Sequence, residues 1–148
     1  MPYATGIQKE DTLSWVFYSD VLTVSLARAC HQSLIQHPEF VPGLDFYISL
    51  EKVTEIDLDF AKVTALRSLT ESRSKGSQRL PKITLFAPTD MTFGMARMYE
   101  TLLNQGDVAH AEVFSDEQQC FAWLGLSEHA ISKLNKAGKA KLEKAQTD

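Results

Sequence analysis

The sequence predicts an α/β fold: a mixed sheet with parallel core strands, an N-terminal antiparallel hairpin, and helices packed on the sheet. Three observations predict it. Strand-like and helix-like segments follow one another in the order β-β-α-β-α-β-α-β-α, which implies parallel strands joined by helical crossovers. Ile83, Leu85, Phe86 and Ala87 form a nearly continuous apolar run between Pro81 and Pro88, as in a strand covered on both faces. Near the N-terminus, Leu13, Trp15 and Phe17 alternate with Ser14, Val16 and Tyr18. That is the period of a strand, and the polar bend at Lys9–Thr12 joins it to segment 3–9 as a hairpin.

Each later element has its own signature. A helix is expected from about Thr23 to His37, with Val24, Leu26, Ala27, Cys30, Leu34 and Ile35 on one arc and Pro38 ending it. His31 falls inside that apolar arc. Residues 44–50 read as a strand, and 53–57 lead into a helix from about Asp59 to Ser72, with Val63, Leu66 and Leu69 inward. The polar, basic segment 72–79 reads as a mobile loop. After strand 82–87, Thr89 or Asp90 can cap a helix. Its wheel places Met91, Met95, Met98 and Leu102 in the core and Arg97, Glu100, Thr101 and Asn104 toward solvent. Phe93 lies off the methionine line, and Gly106 ends the element. Residues 110–114 are the last strand, followed by a short helix capped by Asp116 and closed by Gly125.

The chain has 148 residues, the size of one domain. Residues 1–126 are expected to form it, and 127–148 a Lys-rich, partly helical tail, docked at its start and frayed at its end. In the tail, five lysines stand against Glu128, Glu143 and Asp148, so it is about +2 while the remainder is about −6. The net charge of −4 disfavours non-specific nucleic-acid binding. No apolar run approaches the ~20 residues that span a bilayer, and the N-terminus lacks a signal peptide's basic start and apolar stretch. Cys30 and Cys120 read as buried free thiols of a cytoplasmic protein, although spacing alone leaves a disulfide open.

Two stretches carry a family resemblance. FGMARMYE (93–100), followed by EVFSDEQQCFAWLG (112–125), resembles the SpoIIAA-like, STAS-type family of small bacterial proteins. The match falls on Phe93, Gly94, Met95, Ala96, Arg97, Val113, Phe114, Asp116, Ala122, Trp123 and Leu124, and covers roughly residues 13–125. It implies a mixed sheet with helices packed on it, a fold related to anti-sigma-factor antagonists and to CRAL-TRIO lipid carriers. VTEIDLDF (53–60) is similar to the antagonists' Asp-Ser-Ser-Gly segment. Asp57 matches the aspartate, while Leu58, Asp59 and Phe60 replace Ser, Ser and Gly. With no hydroxyl at the position of the modified serine, the resemblance implies no phosphorylation switch there.

Ligands of open α/β sheets bind beyond the carboxyl ends of the strands. Those ends bring Asp57 and Asp59, together with Thr89, Asp90, Phe93, Gly94 and Arg97, toward one rim. Asp59 and Asp90 also read as helix caps, and the methionine line as core filling. No phosphate loop, nucleophile elbow or H-E-x-x-H motif is present. Cys30 and His31 are adjacent on a helix, so their side chains diverge by about 100° and do not form a nucleophile–base pair. The expectation is a non-catalytic regulatory or protein-interaction module without cofactor or metal. Its unknown protein partner would bind at the rim around Asp59 and Phe93, and a homodimer is compatible with the sequence. The alternative is a carrier or sensor of a small lipophilic ligand, with methionines and aromatics lining a cavity opened by a helix movement.

Overall fold

The computed structural model describes residues 2–147. Among them the sheet has five strands in the order β1-β2-β3-β4-β5: Tyr3–Gln8, Leu13–Leu22, Asp45–Ile56, Lys82–Phe86 and His110–Phe114. β1 and β2 are antiparallel, with Gly6 opposite Trp15, and every other pair is parallel. The helices are α1 (Val24–Ile35), α2 (Phe60–Ser74), α3 (Asp90–Gln105), α4 (Glu117–Leu124) and α5 (Glu128–Thr147). The apolar run between the two prolines is β4, which lies between β3 and β5 and is covered on both faces.

Short polar side chains start four of the helices. Thr23, Asp59 and Asp116 accept from the amides of Leu26, Lys62 and Gln118. Thr89 and Thr92 form a reciprocal capping box. Each cap satisfies a donor that the first helical turn leaves free and stabilises its helix by about 1 kcal/mol.

Period-2 alternation divides the core into two layers. Val16, Tyr18, Phe46, Ile48, Ile83 and Leu85 face one way, toward α1, α2 and α3. Leu13, Trp15, Phe17, Tyr47 and Phe86 face the other, where Cys120 and Phe121 of α4 and Leu134 and Leu142 of α5 cover them. Cys30 and Cys120 are free, buried and in opposite layers.

Three expectations change. Segment 127–148 was expected to fray at its end, but it is helical as far as Thr147, and Leu142 is buried in the second layer. Gly138 permits that docking: a Cβ there would overlap the Phe17 ring. The supposed mobile loop is in part helix, since α2 runs through Ser74. Farther along it, the Arg79 guanidinium donates to the Gly43 carbonyl at 2.9 Å and to Asp45 at 3.0 Å.

The third change is the rotation of α3. Its buried residues are Thr92, Ala96, Tyr99, Glu100 and Leu103, while Met91 and Met98 are exposed. The cause lies at the sheet edge. β5 is the last strand, and the backbone groups on its outer side have no strand to pair with. The Val113 amide donates to Glu100 Oε2 at 2.7 Å. The Ala111 amide donates to Asn104 Oδ1 at 2.9 Å, and Asn104 Nδ2 donates back to the Ala111 carbonyl at 3.0 Å. Glu100 and Asn104 therefore turn toward the sheet, and Met91 and Met98 roll outward, while Met95 and Leu102 remain packed against the core as expected.

Leu103→Ala is expected to lower stability by about 2–5 kcal/mol, and Met98→Ala by less than about 1 kcal/mol. Urea denaturation measures both, and a reversed order would restore the methionine face as core. Gly138→Ala gains about 1 kcal/mol of helix propensity but overpacks against Phe17. A net loss of about 1–3 kcal/mol is expected, and a stabilised variant would show that α5 does not press on Phe17.

Candidate functional site

The predicted rim residues are occupied with local structure. Asp57 is exposed and pairs with Lys62 at 3.1 Å, and Asp59 caps α2. Thr89 caps α3, Asp90 opens it in solvent, and Gly94 is exposed. Phe93 is half-buried and packs against the first core layer. Arg97 pairs with Glu100 at 2.9 Å. β3 pairs with β4 only as far as Ser49 and Phe86, whereas its pairing with β2 continues to Ile56. At ~3.3 Å per residue, that overhang carries the start of α2 roughly 20 Å beyond the end of β4 pairing.

A different site lies beneath the helices. Between the sheet and α1–α3 is an apolar cavity of about 40 Å³, more than the ~10–15 Å³ that one water needs. Phe46, Ile48 and Leu85 form its floor, and Leu66, Leu69 and Met95 its walls. Polar groups from four elements also reach it: Tyr18 of β2, Cys30 of α1, Thr70 and Arg73 of α2, and Tyr99 of α3. The rotation of α3 places Tyr99 here, where its hydroxyl bonds that of Thr70. A smaller cavity of about 20 Å³, lined in part by Phe40, Leu44 and Pro81, lies against Arg73 and Phe46 as well.

Arg73 carries the charge of this region. It is half-buried, its guanidinium lies 4.9 Å from the Phe46 ring centre, and Nη1 is 2.9 Å from His31 Nδ1. Nη2 donates to Thr70 Oγ1 at 3.4 Å. Guanidinium has only donors, so His31 Nδ1 accepts and its ring is neutral. Among the described residues, no carboxylate lies within ion-pair distance of Arg73. Burial pushes the Tyr18 and Tyr99 hydroxyls and the Cys30 thiol up, so all three are uncharged near neutrality. Burial, and secondarily Arg73, holds His31 below its ordinary value. The Cys30 thiol donates to Thr5 Oγ1 at 3.6 Å, away from His31. The arrangement can hold an apolar body beside one fixed positive charge.

Of the polar residues here, Cys30 and His31 were legible as buried on the apolar arc of their helix. Arg73 was assigned to a loop. Its signal was spacing: Leu66, Leu69, Thr70 and Arg73 fall three, four or seven residues apart and share one helical face.

No family model and no curated protein matches this chain. Its structure is similar to that of an uncharacterised protein of the DUF3478 family from Shewanella loihica PV-4, described as having a SpoIIAA-like fold. The two are 13% identical, with a TM-score of 0.52 over 82% of this chain and 93% of the other. At that identity the likeness concerns the fold: this chain has a SpoIIAA-like α/β fold. Among the described residues, no helix is long and apolar enough to cross a membrane.

The depressed His31 pKa makes stability pH-dependent. The unfolded chain binds the proton near pH 6.5, and the folded state only at lower pH. The contribution is therefore full above about 6.5 and is lost as pH falls through the folded value. Between pH 5 and 7 the wild type should gain stability relative to His31→Gln. Denaturation curves of the two with parallel pH dependence would remove His31 as the cause. Glu100, whose pKa burial raises, is common to both and cancels in the difference.

Proposed function

We propose that this chain is a non-catalytic binding module for a small lipophilic molecule, carried or sensed in the cavity beneath α1–α3. The observation behind this reading is the cavity itself, an apolar chamber whose few polar groups converge from four elements; at about 40 Å³ it admits a ligand only as its helical cover moves. Its helical cover is unequal. Four residues of α1 and five of α3 are buried, but only Val63 and Thr70 of α2. α2 is thus the helix that moves at least cost to admit a ligand. The protonated thiol and hydroxyls around the cavity, and an imidazole already accepting from Arg73, suit binding rather than nucleophilic catalysis. Free buried thiols in both layers fit a cytoplasmic setting.

A second reading keeps the partner surface at the carboxyl end of the sheet. The observation in its favour is Phe60, 64% exposed at the start of α2 next to Asp59. Val21 at the end of β2 and Met91 in the first turn of α3 are exposed too. A protein partner or a second copy would cover this end.

A native mass spectrum of freshly purified protein separates the two. The expected result is a small-molecule adduct that Ala27→Leu, which fills the cavity from α1, no longer carries. A protein of fixed stoichiometry, lost in Phe60→Ser, would favour the rim. If no adduct is present and 1-hexanol at millimolar concentration leaves the melting temperature unchanged, the cavity reading fails.

A further inference from the structure

The cavity reading leaves open which chemistry the ligand presents, and Arg73 bears on that. A guanidinium has five N–H donors. The structure uses one on His31 Nδ1 and one, at 3.4 Å, on Thr70 Oγ1, so three have no acceptor among the described residues. Half-buried arginines ordinarily lie against a carboxylate, because a charge withdrawn from water is costly unless paired. Half-buried Arg67 follows that rule and pairs with Glu71, and even the exposed Arg97 has Glu100 as a partner. Arg73 has instead an aromatic face, a neutral imidazole and a hydroxyl. The Thr70 hydroxyl is itself engaged, donating to the Leu66 carbonyl and accepting from the Tyr99 hydroxyl, so the fork's own free N–H groups are the donors on offer.

Resting on the cavity reading, we propose that the ligand is a small apolar carboxylate. Its carboxylate takes the unpaired guanidinium edge of Arg73, and its hydrocarbon part fills the chamber floored by Phe46, Ile48 and Leu85. The planar fork matches a carboxylate with two parallel hydrogen bonds. The neighbouring tyrosines, cysteine and histidine are uncharged, so no anion repels the incoming head group. The Phe46 ring under the guanidinium and the His31 acceptor behind it hold the fork in plane, so little side-chain freedom is lost on binding. Binding also supplies the counter-charge that the fold itself omits, so occupancy tightens the α2 cover.

Titration calorimetry with hexanoate and 1-hexanol at pH 7.5 tests this, since the two share a hydrocarbon chain and differ in the head group. The wild type should bind hexanoate at least about tenfold more tightly than hexanol. Arg73→Gln should remove that preference while changing hexanol affinity by less than about threefold, given that charge-assisted pairs account for the difference. Arg73→Lys keeps the charge without the fork and should retain only part of the preference; it serves as the test if Arg73→Gln does not fold. Equal binding of acid and alcohol to the wild type, or a preference surviving in Arg73→Gln or undiminished in Arg73→Lys, overturns the head-group assignment and leaves the cavity reading standing. Failure of both compounds to bind overturns the two together.

Discussion

The open edge of β5 is the constraint on which the helical layer depends. A terminal strand must find partners for its outward amides and carbonyls or leave them to water and to other chains. Here Glu100 and Asn104 of α3 supply them, at Val113 and Ala111. A carboxylate and an amide held by the backbone fix the rotation of the helix more strictly than apolar contact, which tolerates sliding. From that rotation follow the exposure of Met91 and Met98, the burial of Tyr99 and Leu103, and the meeting of Tyr99 with Thr70. The cavity between α2 and α3 is therefore shaped by an interaction at the sheet margin.

The two sides of the sheet are built differently. On the α4–α5 side, Trp15, Phe17, Tyr47 and Phe121 pack ring against ring at 5.2–5.7 Å between centres, in geometries that aromatic pairs favour. The Tyr47 hydroxyl donates to Glu117 at 2.7 Å, and Gly138 brings α5 onto Phe17. On the α1–α3 side the layer contains a chamber with hydroxyls, a thiol and a guanidinium around it. One side supplies rigidity and the other leaves room, a division suited to a module that admits a guest without losing its fold.

The SpoIIAA-like likeness agrees with the mixed sheet and its hairpin but says nothing of chemistry at 13% identity. The difference that matters is in where side chains are engaged. At the carboxyl end of the strands, Asp59 is spent on a cap and Asp57 on a local ion pair. Beneath the helices, the Arg73 guanidinium has no carboxylate partner among the described residues. Charge that the fold does not balance is a more specific indication than charge it does.

Much of this molecule was determined by sequence alone, wherever the cause was local. The apolar run from Ile83 to Ala87, the alternation through Leu13–Tyr18, and the caps Thr23, Asp59, Thr89 and Asp116 each act within a few residues, so the five strands and α1–α4 were legible, though not the full length of β3 or α5. The resemblance carried by FGMARMYE and EVFSDEQQCFAWLG named the fold. Only the tertiary structure decided the facing of α3, the docking of α5 and the inward turn of Arg73. The periodic signal on α3 was real but pointed at methionines, because a helical wheel scores apolarity and cannot see a backbone edge waiting for Glu100 and Asn104. The role of Gly138 is not local, because the Phe17 ring it admits is 121 residues away in the chain. Arg73 read as loop because nothing next to it in sequence shows which acid it lacks. Pairing across the fold is a property of space, and the candidate site is made entirely of such pairings.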